Sequence, residues 1–498
     1  MDLSSKSVLV VGAGIMGAGI AQVAAQSMRA AGQQVFLHDA REGAAAQAKD
    51  KLASTLQGLV AKGKLTAEAC EGALARIVPV SSLAAVPGSD VGLVVEAIVE
   101  RLDVKRSLFQ ELEGLVGAGC VLATNTSSIS VTAIANGLQH PERLVGMHFF
   151  NPVPLMKLVE VVSGLHTDAA VAHAIFDLSL VWGKVPVHAK STPGFIVNRI
   201  ARPYYAETLA LLQEQAGSPE LLDACLKAVG FRMGPCELMD LIGHDTNFAV
   251  TNSVYEANFY DKRYVPSLVQ RELVDGGMLG RKSGRGFYRY PEGAPVLKAV
   301  SVEPVAASAA ARAAADDRHG GVVVQGVHIV PTDGRTAREL ARELGTSAVV
   351  VHDRVMGAAA SVGGNAAAAP AGGSGVGRAP ALAFATAPGL SAEQRAVAVA
   401  HLLSHGVEPH EVADTPGLVV ARTVAMLINE AADAVHQGVC TPEGADAAMK
   451  LGVNYPAGPF DWLRAWSVDG VVALLDHLDA HYRGERYRVS PWLRARVG

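Results

Sequence analysis

Residues 7–26, SVLVVGAGIMGAGIAQVAAQ, leave few choices of fold. A short run of β-branched and apolar residues reads as a buried strand, and the alanine-rich stretch after it as a helix. Between them the glycines fall as G-x-G-x-x-G at Gly12, Gly14 and Gly17, with Ile15 and Met16 inside the turn. Glycine suits any tight strand-to-helix turn, so the spacing alone says only that the chain turns. Context narrows it: the next strand, QQVFLHDA, ends in an acid, Asp39, 22 residues after Gly17. A backbone stripped of side chains can approach a pyrophosphate at a helix N-terminus, and an acid at the second strand can accept hydrogen bonds from ribose hydroxyls. The acid would repel a 2′-phosphate, so the expected cofactor is NAD and not NADP.

The pattern then repeats. DVGLVVEAIVE and CVLATNTSS read as two more buried strands, and RLVGMHFF and KLVEVV as two others, with a single helical stretch from about Arg41 to Cys70. Strands alternating with helices predict an α/β Rossmann domain, a doubly wound and mostly parallel sheet, over residues 1–190. From STPGFIVNRIARPYYAETLALLQEQ the chain reads as all-α through residue 291. Residues 292–412 shift to Ala, Gly and Val with a strand–helix–strand pattern, and 357–381 read as low in complexity and loosely ordered. An internal repeat follows: TPGFIVNR (Thr192–Arg199) returns as TPGLVVAR (Thr415–Arg422), with Glu207 and Glu430 at matching places and a Gly-Pro turn after each. Residues 413–498 are therefore a second, degenerate copy of the helical domain. Asn198 of the first copy is Ala421 in the second, and no glycine turn precedes the second, so it is expected to be structural.

At 498 residues the chain suits about three domains. Its net charge of −5 argues against a nucleic-acid partner. Five scattered cysteines with no C-x-x-C pair argue against a zinc site or a disulfide framework. With no long apolar run and no basic leader, the expected setting is cytoplasmic and away from membranes.

The stretch MHFFNPVPLMKLVEVV sets His148 and, twelve residues on, Glu160 in apolar surroundings. A carboxylate buried there needs a partner, and a histidine held by a carboxylate is poised to take a proton. Oxidising a secondary alcohol needs such a base. A buried ion pair that only joins two strands is the plainer alternative. Ser127, in NTSSIS after the fourth strand, can hydrogen-bond a substrate oxygen, while Ser130 suits a helix cap. By themselves Asn198 reads as structural, Glu100 and Lys105 as a surface pair or cofactor contacts, and Lys62, Lys64, Lys282 and Arg285 as solvated charges or phosphate contacts.

Together GAGIMGAGIAQ, VVEAIVERLDVK, NTSSIS, HFFNPVPLMKLVEVV, TPGFIVNR and GRKSGRGFY resemble, in order and spacing, the L-3-hydroxyacyl-CoA dehydrogenases. The resemblance implies NAD-dependent oxidation of an acyl-CoA, with His148 as general base, Glu160 as its partner, and Ser127 and Asn198 holding the reacting oxygen and the thioester carbonyl. It implies cofactor contacts at Glu100, Lys105 and Lys282 and a CoA contact at Lys62. The long form, with WGKVPVHAKSTPGFIVNRIARPYYAE and GERYRVSPWLR, is similar to the branch that acts on 3-hydroxyadipyl-CoA in phenylacetate catabolism. A distal carboxylate there would favour a cation, and Arg199, Arg202 and Arg232 are candidates. The alternatives are a 3-hydroxybutyryl-CoA or general β-oxidation dehydrogenase, and a non-enzymatic NAD-binding protein on the same fold. In short family members two helical domains pair in a dimer; here the duplicate is expected to act as an internal pseudo-dimer, with or without a homodimer. The spacing to Asp39 is four residues longer than the family's, which predicts a longer first helix or a local bulge.

Overall fold

The computed structural model describes residues 3–30, 32–290, 314–316, 319–354 and 379–498. The chain forms two compact units, one of residues 1–199 with 437–453, the other of residues 200–436 with 454–498.

The first unit carries an eight-stranded sheet of β1 (Ser7–Val11), β2 (Val35–His38), β3 (Ile77–Val80), β4 (Val91–Glu96), β5 (Val121–Thr124), β6 (Leu144–Phe149), β7 (Leu158–Ser163) and β8 (Val185–Lys190), in the order 3-2-1-4-5-6-7-8. All neighbours are parallel except β6 and β7. The order reverses between β1 and β4, where a doubly wound sheet opens its ligand crevice. Strands β1, β4 and β5 are buried throughout, as expected where helices cover both faces. β3 and β8 lie at the two edges and carry Pro79 and Pro186, the places where a missing N–H is tolerated.

Two expectations for this unit are corrected. The helical stretch from Arg41 to Cys70 is two helices, Ala44–Ala61 and Ala67–Arg76. Gly63 turns between them at φ 67°, and the Thr66 side chain caps the second by accepting from the Ala69 N–H. The first helix is not lengthened by the extra residues, since it ends at Ser27. They fall in the following loop, where Gln33 accepts from the Arg29 and Ala30 N–H groups and donates to the Ser4 and Lys6 carbonyls. β2 keeps its register on β1, with Val11 opposite His38, so the strand that delivers Asp39 is not displaced.

The second unit holds most of the helices of both copies and a second sheet. Its strands are β9 (Ala314–Asp316), β10 (Gly321–Val324), β11 (Val327–Pro331), β12 (Val349–His352), β13 (Ala381–Thr386) and β14 (Glu408–Glu411), in the order 14-13-12-11-10-9. The segment read as low in complexity lies almost wholly outside the described residues. Just after β12, Asp353 is buried and accepts from the Val419, Val420 and Ala421 N–H groups. A carboxylate at a strand end thus holds the TPGLVV turn of the second copy.

Helix Arg202–Gln213 packs on helix Val420–His436. Two buried glutamates hold the arrangement together. Glu207 of the first copy accepts from Arg422 Nε (2.8 Å), Arg486 Nη2 (2.7 Å) and the Tyr487 hydroxyl (3.0 Å) of the second. Glu430 of the second accepts from the Tyr264 hydroxyl (2.6 Å) and Arg263 Nη1 (3.4 Å) of the first. Burial pushes the Glu207 carboxyl up, but the Arg486 and Arg422 charges outweigh it and hold it below the usual range. Glu207→Gln would take the carboxylate from Arg486 and leave Arg422 with Glu214 alone. It should cost about 3–5 kcal/mol of stability, read as a shift in the urea unfolding midpoint; an unchanged midpoint would show that the network contributes nothing.

Candidate active site

The glycine turn follows β1 at the crevice. Gly12 has φ 106°, and a Cβ on it would lie 2.4 Å from the Ala97 carbonyl oxygen. A Cβ on Gly17 would lie 1.8 Å from the Gly12 oxygen. These two glycines are fixed by the packing of helix on strand. Gly14 differs: it is the N-cap of the helix, its φ is −70°, and nothing lies within 4 Å of a Cβ placed there. The open backbone at a helix N-terminus, flanked by Ile15 and Met16, fits a pyrophosphate. Beside it, Asp39 accepts from the Ala13 N–H (2.8 Å) and the Arg41 N–H (2.9 Å). Burial raises the Asp39 carboxyl, but Arg41 and these N–H groups hold it below the usual range, so it stays an acceptor for ribose hydroxyls. A cleft of about 650 Å³ lined by Val11, His38, Ala40, Ser82, Leu83 and Ile98 adjoins the ends of β1 and β2, ample for an adenosine.

Behind the crevice, Glu96 ends β4 fully buried, accepting from Lys105 Nζ (2.6 Å), the Ile98 N–H (2.7 Å) and the Thr124 hydroxyl (2.7 Å). Lys105 is itself buried, 3.2 Å from Glu100. Its ammonium is turned onto two carboxylates and braces the loop, so the pair is not the exposed one the sequence allowed. Glu100 accepts from the Thr126 hydroxyl (2.7 Å) and the Ser127 N–H (2.9 Å), with the Ser127 hydroxyl at 3.3 Å. Burial raises the Glu100 carboxyl, but the Lys105 charge together with the hydrogen bonds from Thr126, Ser127 and Lys105 holds it below the usual range.

His148 and Glu160 are opposite residues of the antiparallel pair β6–β7, so both side chains stand on one face. His148 Nδ1 lies 2.6 Å from Glu160 Oε2, both buried. Glu160 Oε1 accepts from the Ile196 and Val197 N–H groups at 3.1 and 2.9 Å. The carboxylate is thereby satisfied on both oxygens, and it ties the histidine to the turn that carries Asn198. Asn198 Nδ2 donates to the Ser127 carbonyl at 3.4 Å. Four of the expected residues, Ser127, His148, Glu160 and Asn198, are therefore joined by hydrogen bonds into one constellation. Phe150 and Phe195 flank the imidazole, with ring centroids 4.5 and 5.8 Å away. With Nδ1 bound to the carboxylate, Nε2 is the nitrogen left to accept a proton.

Two expected residues stand apart. Lys62 is exposed at the end of helix Ala44–Ala61. Lys282, in the second unit, pairs with Asp245 at 2.5 Å. Among the arginines, Arg199 is buried and donates to Gln437 (2.8 Å), Arg202 is buried over the Tyr205 ring, and Arg232 is exposed. Sequence reasoning passed over Glu96, Thr124 and Lys184. Lys184 is buried, donating to the carbonyls of Val153 and Met156 (2.8 Å for the latter) and so pinning the NPVPLM loop beyond His148. Its signal was a lysine in an apolar helix-to-strand turn, too weak to act on.

A family model described as "3-hydroxyacyl-CoA dehydrogenase, NAD binding domain" matches residues 7–192, and one described as the C-terminal domain matches 194–290 and 417–498. The chain belongs to the 3-hydroxyacyl-CoA dehydrogenase family. It is 44% identical over 498 residues to 3-hydroxyadipyl-CoA dehydrogenase of Escherichia coli, covering 100% of this chain and 98% of that protein. It is 40% identical over 291 residues to mitochondrial hydroxyacyl-coenzyme A dehydrogenase of Sus scrofa, covering 57% of this chain and 91% of the relative. The crystal structure of a protein named 3-hydroxybutyryl-CoA dehydrogenase, from Escherichia coli K12, superposes with TM-score 0.90 at 44% identity, covering 99% of this chain and 98% of the other. The family's cofactor is NAD, its substrates are acyl-CoA thioesters, and this dehydrogenase has the matching turn, acid and cleft. Among the described residues no helix is long and apolar enough to cross a membrane.

Two measurements check this geometry. Gly14→Ala needs no positive φ and meets no neighbour, so its Tm should match wild type, while NAD⁺ Kd from titration calorimetry should rise roughly tenfold or more as the methyl blocks the backbone. Unchanged affinity would move the pyrophosphate elsewhere. For Lys184, burial lowers the pKa from 10.5 to about 8. Between those values the unfolded chain holds a proton that the folded chain lacks, so this group's contribution to stability rises with pH across that window. The Tm advantage of wild type over Lys184→Met should therefore widen from pH 8 to about 10; a constant difference would mean the ammonium is not desolvated.

Proposed function

We propose that this dehydrogenase oxidises 3-hydroxyadipyl-CoA to 3-oxoadipyl-CoA, with His148 as general base. The observation that carries the chemistry is the Glu160 carboxylate, which binds His148 through one oxygen and the Ile196–Val197 turn through the other. His148 Nε2 takes the proton of the C3 hydroxyl. Glu160 fixes the tautomer and stabilises the imidazolium that forms. NAD⁺, when bound, accepts the hydride from C3 of the same substrate. Ser127 and Asn198 orient the reacting oxygen and the thioester carbonyl, and their mutual hydrogen bond sets the distance between those two contacts. Lys62, exposed at its helix end, offers positive charge toward the CoA.

The choice of the dicarboxylate rests on the Escherichia coli relative of that name, matched along both full lengths. The similar crystal structure is of a protein named for 3-hydroxybutyryl-CoA, which supports the short-chain substrate as the second reading. The cross-paired glutamates Glu207 and Glu430 support a role for the duplicate as an internal pseudo-dimer. A cytoplasmic setting is supported by the five cysteines, none in a disulfide.

NADH absorbance should rise faster with racemic 3-hydroxyadipyl-CoA than with 3-hydroxybutyryl-CoA at equal concentration. The reverse order establishes the short-chain reading. His148→Gln should lower kcat by roughly 10²- to 10⁴-fold with NAD⁺ binding retained; full turnover in that variant removes the proposed base.

A further inference from the structure

The segment Gln437–Val453 comes from the second helical copy, yet it belongs to the compact unit that carries the catalytic pair. Its helix, Pro442–Gly452, packs on β7 and β8. The Val439 carbonyl accepts from the Lys190 N–H (2.9 Å), at the end of β8. Gln437 accepts from Arg199, the residue after Asn198. The half-buried thiol of Cys440 lies close enough to Glu160 and Arg199 to feel both charges.

Gly452 makes the tightest approach. A Cβ there would lie 2.6 Å from Leu158, 3.0 Å from Val197 and 3.6 Å from Phe150. Each of these three touches the proton-transfer apparatus. Leu158 is on the strand of Glu160, two residues before it. Val197 gives its N–H to Glu160. Phe150 packs against the His148 ring. One residue without a side chain thus backs the strand, the turn and the ring that together fix the imidazole.

We infer that the duplicated copy supplies a positioning element to the oxidation site, with Gly452 setting where Phe150, Val197 and the Glu160 strand come to rest. The duplicate is then part of the working site and not only a scaffold. This inference rests on the dehydrogenase reading above. A methyl or isopropyl group at 452 pushes on residues one contact away from the base, and shifts of about 1 Å at reacting groups cost up to roughly 10²-fold in rate.

The test uses the full-length protein. Wild type is assayed first with both 3-hydroxyacyl-CoA substrates; no turnover of either overturns the functional reading itself. Given wild-type turnover, Gly452→Val, or Gly452→Ala should the larger change not fold, is expected to lower kcat at least tenfold and to shift the pH–rate profile, with NAD⁺ Kd unchanged. Leu158→Ala removes the atom that a Cβ at 452 would meet first, so the double variant with Gly452→Ala should recover kcat and the wild-type profile. A Gly452 variant that folds with wild-type kcat and pH profile overturns the inference. So does a Gly452 variant whose kcat per folded molecule matches wild type, because the loss would then be one of stability alone.

Discussion

A carboxylate with no water to solvate it must be met on every side, and the catalytic half of this protein is organised around meeting that demand at Glu160. One oxygen takes the His148 ring and the other takes two backbone N–H groups from the Ile196–Val197 turn. Neither group would sit where it does without the other. The strand pairing places the two side chains face to face, and the turn carries Asn198 to the Ser127 carbonyl. Satisfying one buried charge therefore also assembles the groups that would touch substrate.

The same device recurs without the chemistry. Asp353 accepts from the turn Val419–Ala421 as Glu160 does from Ile196–Val197. Both turns share an unusual backbone, with Gly194 and Phe195 at φ 75° and 47° and Gly417 and Leu418 at φ 72° and 51°. A non-glycine residue held in that region is strained, and three or so N–H groups gathered on one carboxylate can hold it there. Among the described residues no histidine answers Asp353 as His148 answers Glu160: the neighbouring His352 turns its Nδ1 to the Asp353 carbonyl, and burial lowers its pKa to about 4. With Ala421 in place of an asparagine, the second turn keeps the anchor and drops the groups that handle substrate.

What the sequence made legible follows the range over which its signals act. The glycine turn, Asp39 and the His148–Glu160 pair come from short stretches whose spacing encodes geometry directly. The edge strands β3 and β8 escaped notice because Pro79 and Pro186 interrupt their apolar runs, and prolines are tolerated there only because the outer side has no neighbour to receive an N–H. The extra residues before Asp39 suggested a longer helix because four residues match a helical turn, whereas Gln33 satisfies a loop there instead. Lys105 looked like an exposed contact because nothing local reveals that Glu96, nine residues earlier and buried, claims its charge.

Contacts between the copies were beyond any local reading. Glu207 and Arg422 are 215 residues apart, and nothing in either neighbourhood names the other. Yet the repeat itself carries a testable logic. Arg199 and Arg422 occupy equivalent positions, and each donates to the residue seven places beyond the other copy's glutamate: Arg422 to Glu214, Arg199 to Gln437. Where that residue is a glutamate, the arginine sits in a charged network of Glu207, Glu214, Tyr482 and Tyr487. Where it is a glutamine, the arginine next to Asn198 has a neutral acceptor at that place. The asymmetry between the two copies thus falls at the substituted partner, on the side where the chemistry is.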